Sequence, residues 1–286
     1  MAFTHRAACD DASALALFDG EFIHGRGRTL SLAQRLPSVF ASAGAMTWSA
    51  REGGECVSAL VCRPFEWLDA GARVQGAMIG LVCTREDHRG KGLAGRLLDM
   101  ALDDLRERQV QFAVLWAGRP DIYERAGWRF ADRGLLGRMR GDAMAQAPAR
   151  RDKEPRPALA TLDALRSSPR VVRGEADWSA LLPPSTRSRI VIGAGCYAVI
   201  GEHGRVGYLL DLDGDPAGMA GLIASVAGDY DELLLNVPGN GPIHAALASL
   251  PGIEWQAQRL AGWMALDAGI DTARFAAWYL PFLDRI

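Results

Sequence analysis

Nowhere does the chain approach the roughly 18 uninterrupted apolar residues that a membrane-spanning helix needs, which excludes a helical membrane protein. Cysteine is scarce. Cys9, Cys56, Cys62, Cys83 and Cys196 are odd in number and contain no Cys-x-x-Cys pair. They read as free thiols in a reducing compartment, neither a disulfide frame nor a zinc site. Charge of neither sign prevails: 32 Lys and Arg stand against 34 Asp and Glu, and a net charge of −2 gives no electrostatic reason to expect nucleic acid or an anionic membrane as partner. The opening MAFTHRAACDDAS lacks the basic-then-apolar order of a secretory signal, so the expected location is cytoplasmic. What is present is the composition of a globular protein, 49% hydrophobic and 23% charged, over 286 residues that leave room for two ordinary domains.

Residues 81–98, LVCTREDHRGKGLAGRLL, carry the strongest chemical signal. A β-prone run ends at Thr84, a polar turn follows, and a Gly-rich stretch opens onto an amphipathic helix. Arg89, Gly92 and Ala94 fit the pattern Arg/Gln-x-x-Gly-x-Gly/Ala. Glycines let the backbone curl closely around a ligand, and the first N–H groups of a helix have no intrahelical partner. With the positive end of the helix dipole and the charges of Arg89 and Lys91, the segment suits a pyrophosphate. It lacks the Gly-Lys-Ser/Thr ending of a P-loop.

The segment resembles the acetyl-CoA-binding motif of the GCN5-related N-acetyltransferases (GNAT). In that family the strand before the loop bulges away from its neighbour and pairs with the pantetheine arm of the cofactor. The resemblance implies that the main chains of Val82, Cys83 and Thr84 line pantetheine. Arg89, Gly90, Lys91, Gly92, Leu93, Ala94 and Gly95 would then wrap the pyrophosphate. Downstream, QFAVLWAGRPDIYERAGWRF repeats the family's order of strand, short helix bearing a tyrosine, and Gly-aromatic turn, with Tyr123 and Gly127-Trp128 in those places. The family role of the tyrosine is to protonate the departing CoA thiolate, which is sensible for a phenol whose pKa lies near that of a thiol.

The wider pattern agrees. A strand near residues 3–8, a helix over 12–23, a second helix over 30–40 interrupted at Pro37, strands over 46–51, 55–67 and 72–84, and a long helix over 92–108 follow the order of the acetyltransferase fold. That implies a mixed, mostly antiparallel α/β (α+β) sheet flanked by helices. Residues 1–140 are expected to form this acetyl-CoA-binding catalytic domain, and the proline- and charge-rich segment 141–160 a linker.

Residues 161–286 read as hairpin, helix, strand, helix, strand, a degenerate second GNAT-like domain. The hairpin is expected from 189–200 and 205–211, a helix over 216–227, one strand across 253–267 and a last helix over 272–279. The loop before this second helix is DLDGDPAG, whose carboxylates would repel a pyrophosphate. Asp211, Asp213 and Asp215 alternate as in a calcium loop, but Leu222 stands where the bidentate glutamate belongs, so a turn into a helix cap is expected and no metal. Tandem acetyltransferases, including the enhanced-intracellular-survival aminoglycoside family, share this two-part plan.

The expected function is acetyl-CoA-dependent transfer of an acetyl group to the primary amine of a small molecule, by direct attack on the thioester. Tyr123 is the candidate acid; the resemblance to the tandem relatives, whose C-terminal carboxylate can reach the first domain's site, makes that of Ile286, in the apolar ending WYLPFLDRI, a candidate base. Trp116 and His24 are candidates for the acceptor pocket. Two alternatives stay open, a protein or peptide lysine acetyltransferase and a non-catalytic acyl-CoA sensor or scaffold. Self-association into a homo-oligomer is also left open.

Overall fold

The computed structural model describes residues 1–42, 44–131, 134–140, 159–258 and 261–286. After β1 (Ala2–Ala7), the Asp11 carboxylate accepts the Ala14 N–H at 3.0 Å and caps α1 (Ala12–Phe22). Proline disrupts a helix interior but suits a helix start, so the expected second helix is two short ones, α2 (Leu32–Arg35) and α3 (Pro37–Phe40). β2 (Met46–Glu52), β3 (Glu55–Asp69) and β4 (Ala72–Thr84) form an antiparallel meander. Its first turn uses Gly53 and Gly54, both at positive φ. α4 (Leu93–Glu107) then returns the chain to β5 (Phe112–Leu115), which lies parallel to β4, and α5 (Pro120–Glu124) follows.

The next elements are β6 (Gly134–Arg140), α6 (Leu159–Leu165), β7 (Arg170–Val171) and α7 (Glu175–Leu181). A second meander of β8 (Ser188–Gly193), β9 (Cys196–His203) and β10 (Val206–Gly214) leads through α8 (Pro216–Ala227) to β11 (Glu232–Pro238), parallel to β10. Then come α9 (Pro242–Leu247), β12 (Ile253–Gln258) and β13 (Gly262–Ala265). Meander, helix, parallel strand and short helix thus occur twice, as expected of a tandem.

The two sheets exchange strands. The first has the order β1-β2-β3-β4-β5-β13 with β7 beside β3, and the second β12-β6-β11-β10-β9-β8. β6, from the first half, pairs antiparallel with β11, and β13, from the second half, pairs antiparallel with β5. The expected division into 1–140 and 161–286 therefore needs an amendment, since each sheet is completed by a strand from the other half. The expected linker lies outside the described residues except at its end, where Leu159 and Ala160 begin α6.

Three other expectations are corrected. Residues 189–200 are two strands and a turn, with Ala194 at φ 49° and Gly195 at φ 75°. Residues 253–267 hold two strands that belong to different sheets. Residues 272–276 form a 3-10 turn capped by Asp271 in place of a final α-helix.

Each sheet buries one helix. Leu97, Leu98, Ala101, Leu102 and Leu105 of α4 pack against Trp48, Leu60, Ile79 and Leu115, while Met219, Leu222, Ile223 and Val226 of α8 pack against Ile200, Leu235 and Met139. On the opposite face of the first sheet, α1–α3 cover one end. The C-terminal residues cover the other through an aromatic cluster in which Trp278 meets Phe112 at 4.8 Å and Trp67 at 5.3 Å between ring centroids. That face carries the candidate site.

Candidate active site

Near Gly80 strand β4 leaves β5 and bulges away from β3. Its parallel pairing with β5 ends at Ile79–Leu115, and its pairing with β3 jumps from Val61–Gly80 to Ala59–Cys83. Two residues, Leu81 and Val82, face the single Leu60, which is a β-bulge. Leu81 sits at φ 53°, a conformation a large L-residue adopts only when its surroundings enforce it. Beyond the bulge, residues 81–84 have no strand partner on the β5 side among the described residues. The main-chain edge left free is the feature expected of Val82, Cys83 and Thr84. Ser58, which sequence reasoning missed, holds this segment from the β3 side: its Oγ donates to the Cys83 carbonyl at 3.0 Å and lies 2.8 Å from Thr84 Oγ1. The Cys83 thiol itself is buried toward α1, and burial pushes its pKa up.

The turn after β4 has the form of an anion cradle. Gly90 at φ 75° and Gly92 at φ 72° take left-handed conformations that favour glycine. No side chain caps α4 at Gly92, so the N–H groups of Leu93, Ala94 and Gly95 keep no partner among the described residues. Lys91, Gly92 and Gly95 are exposed, Ala94 is half-buried, and Leu93 anchors the turn in the core. A Cβ at residue 90, 92 or 95 would meet nothing within 4 Å. Arg89 spans the cradle: its Nε donates to the Thr84 carbonyl at 3.0 Å and its Nη2 to both carboxylate oxygens of Glu21 on α1, at 3.1 and 3.3 Å.

Behind the cradle His88 is buried between two carboxylates, with Nδ1 2.7 Å from Asp87 and Nε2 2.8 Å from Glu52. Hydrogen bonding to Asp87 and Glu52 raises its pKa above the usual imidazole value; the Glu52 carboxyl is held below its usual range by His88, and the Asp87 carboxyl by Arg85 first and His88 second.

Tyr123 is half-buried on α5, packed on the α4 core with its ring edge-on to Trp128 at 6.4 Å. Its carbonyl accepts the N–H groups of Ala126 and Trp128, closing a turn in which Gly127 takes φ 90°. Burial raises the phenol pKa, so the hydroxyl keeps its proton, and it has no hydrogen-bond partner among the described residues. Trp116, just past β5, is half-buried with the Arg285 guanidinium 5.1 Å above its ring. Ile286 lies on Gly80 at the start of the splay. His24 is exposed on the turn after α1, without the contact that draws Glu21 to Arg89.

The matching corner of the second sheet is closed. Asp215 caps α8, its carboxylate accepting the Ala217 N–H at 3.0 Å, while Pro216 has no N–H and Gly218 donates to the Asp215 carbonyl. A Cβ at Gly214 or Gly218 would fall within 2.5 Å of the β8–β9 turn. Asp215 thus serves the helix cap and Asp213 accepts the Gly214 N–H in the turn, while Asp211 pairs with Arg173, and the second cradle has neither space nor free donors.

The comparisons with known proteins agree with this geometry. Residues 34–131 match the family model "Acetyltransferase (GNAT) domain". No curated protein matches the chain in sequence. A probable N-acyltransferase from Enterococcus faecalis shares the fold at 14% identity, covering 93% of this chain and 72% of that one with a TM-score of 0.72. Eis1 from Mycobacterium abscessus does so at 16% identity, 93% and 74% coverage and a TM-score of 0.63. A tandem GNAT protein from the clavulanic acid biosynthesis pathway, solved without AcCoA, is similar over 94% of this chain and 99% of its own, at 13% identity and a TM-score of 0.55. The fold and the first sheet's corner define an N-acyltransferase fold. Residues 34–131 thus carry a GNAT acetyltransferase domain, and the chain as a whole shares its fold with a tandem GNAT protein.

Proposed function

We propose that this protein is an acetyl-CoA-dependent N-acetyltransferase whose acceptor is the primary amine of a small molecule. The observation that carries the reading is the edge of β4 left without a partner on the β5 side, followed by the open space at Gly90 and Gly92 and the uncapped start of α4. Acetyl-CoA would supply the thioester and a good leaving group. The cradle of Arg89, Gly90, Lys91, Gly92, Leu93, Ala94 and Gly95 would hold its pyrophosphate, and the edge of Val82, Cys83 and Thr84 its pantetheine arm.

Aligning acceptor and thioester on the splay supplies much of the rate. A main-chain N–H of the bulged segment would donate to the oxygen that gains charge. The Tyr123 hydroxyl, kept protonated by burial, would give its proton to the departing sulfur. The Ile286 carboxylate would take the proton of the acceptor ammonium. The tail lying on Gly80 narrows the approach to the splay, which favours a small acceptor over a protein surface.

Calorimetric titration with acetyl-CoA tests the reading, using the wild type and Gly95→Glu. Residue 95 is open and not at positive φ, so the glutamate should not disturb the fold. Its carboxylate stands where the pyrophosphate would lie and should weaken binding by roughly tenfold or more. Binding by the wild type, followed by release of free thiol with a panel of small amines, supports the proposal. A folded wild type that binds no acetyl-CoA overturns it.

A further inference from the structure

Behind the C-terminal tail, between α3, β3 and α7, lies a cavity of about 400 Å³. Arg63 of β3 lines it and is only 8% exposed. A buried guanidinium ordinarily has a carboxylate beside it, because an unpaired buried charge is costly. Arg63 has none within 4 Å among the described residues. Its Nη2 donates to the Asp284 carbonyl at 2.8 Å and touches the Met78 sulfur at 3.8 Å, and its Nε is buried with no partner. Nη1 has no partner among the described residues either and is not fully enclosed, and Arg63 is part of the cavity wall. Burial pushes the guanidinium pKa down despite the fields of Asp284 and Asp177, the sign of a cation short of counter-charge.

The carboxylates in the wall are already engaged. Glu66 pairs with Arg73, Asp177 accepts the Gly174 N–H at 2.8 Å, and Asp284 is gripped by Arg173. Arg63 alone is left to receive an anion, with the wall residues Ser38 and Ser42 as further hydroxyl donors. Three wall carboxylates would repel a doubly charged phosphate more than a singly charged carboxylate, and the planar fork of arginine matches a carboxylate edge.

Arg63 also brings one wall of the cavity near the splay along the β3–β4 ladder. Arg63 pairs with Met78 and Val61 with Gly80 in the β3–β4 ladder, so Arg63 stands two residues, about 7 Å, from the point where the splay opens. We propose that the Arg63 cavity binds a carboxylate, and that the acceptor is an amino acid or short peptide holding its carboxylate there while its amine reaches Gly80. The second clause rests on the transferase reading, and the first does not.

Two probes without a free amine separate the two claims, N-acetylglycine and its neutral amide N-acetylglycinamide. Calorimetric titration of the full chain should show N-acetylglycine binding at least tenfold tighter than the amide, and Arg63→Gln should remove that preference. The same variant should bind acetyl-CoA as the wild type does, which also shows that it is folded. Arg63→Lys, which keeps the charge and loses the fork, should fall between the two. Equal binding of acid and amide, no binding of either, a preference for inorganic phosphate, or an undiminished preference in Arg63→Gln each overturns the site. In thiol-release assays amino acids should outrun their amides as acceptors, and the reverse order overturns the acceptor assignment. Failure of acetyl-CoA to bind while N-acetylglycine binds leaves the cavity standing and removes the transferase.

Discussion

Ile286 rests directly on Gly80: a Cβ carbon on residue 80 would come within 2.5 Å of the Ile286 main-chain oxygen and 2.7 Å of its Cγ1. Residue 80 is not at positive φ, so the lack of a side chain there answers to packing and not to backbone strain. Gly80→Ala should therefore lift the tail off the splay and cost about 1–3 kcal/mol by overpacking. Urea denaturation measures the cost, and hydrogen exchange over residues 280–286 reports the release of the tail. An alanine variant as stable and as protected as the wild type would show that the contact constrains nothing.

Tyr123→Phe keeps the ring that packs on the α4 core and removes the hydroxyl alone. Acetyl-CoA affinity should stay as it is, and turnover should fall by more than about tenfold, the lower end of what a positioned acid supplies. Thiol release under saturating donor measures the fall. Unchanged turnover would remove Tyr123 from the mechanism.

His88 links the cradle to pH. The groups around it are Asp87 and Glu52, which hydrogen-bond it, and Arg85 and Lys91, which are cationic. Its pKa is raised in the folded protein. The stability it contributes is thus fully present below the unfolded imidazole value, near 6.5, and is lost as pH rises through the folded value. The difference in Tm between the wild type and His88→Asn should be largest in mildly acidic buffer and shrink as pH rises above neutrality. A difference that grows with pH would mean that His88 is not held as the cation.

The parts of this fold that could be read from the chain are those set by near neighbours in sequence. The leucine spacing of α4, the bounds of β4 at Ala72 and Thr84, and the glycines of the cradle follow from periodicity and left-handed turns within a few residues. The turn at Ala194-Gly195 escaped notice because it interrupts an apolar run with two small residues and no polar break. The strand exchange is beyond local pattern, since β6 and β13 read as strands whichever sheet receives them. So is the role of Ser58, whose hydroxyl matters only because the Cys83 carbonyl, 25 residues away, turns toward it. Arg63 stands within a largely apolar strand, and its role depends on Asp284, 221 residues on.

The same distance in sequence hides the device that anchors the tail. Arg173, just after β7, donates through Nε and Nη2 to the two oxygens of Asp284 and through Nη1 to Asp211 at 2.6 Å, and Tyr197 donates to the same Asp211 oxygen at 2.8 Å. The three charged side chains are 1–2% exposed, and Asp211 belongs to the second sheet, so one guanidinium ties that sheet to the tail over the first. Burial would raise the Asp284 pKa, but Arg173 outweighs it and holds the carboxyl below its usual range. Removing one member of such a cluster leaves the others charged and buried, so Arg173→Met should cost about 3–5 kcal/mol in urea denaturation. Arg173→Lys should recover only part, because one ammonium cannot reproduce the fork across two carboxylates. The contribution of Asp284 is present above its unfolded pKa and lost as pH falls through the depressed folded value, so the acid limb of the wild-type stability curve should flatten in Arg173→Met. A cost below about 1 kcal/mol, the level of an exposed ion pair, would mean that the apolar packing of Leu280 and Leu283 holds the tail without the ions.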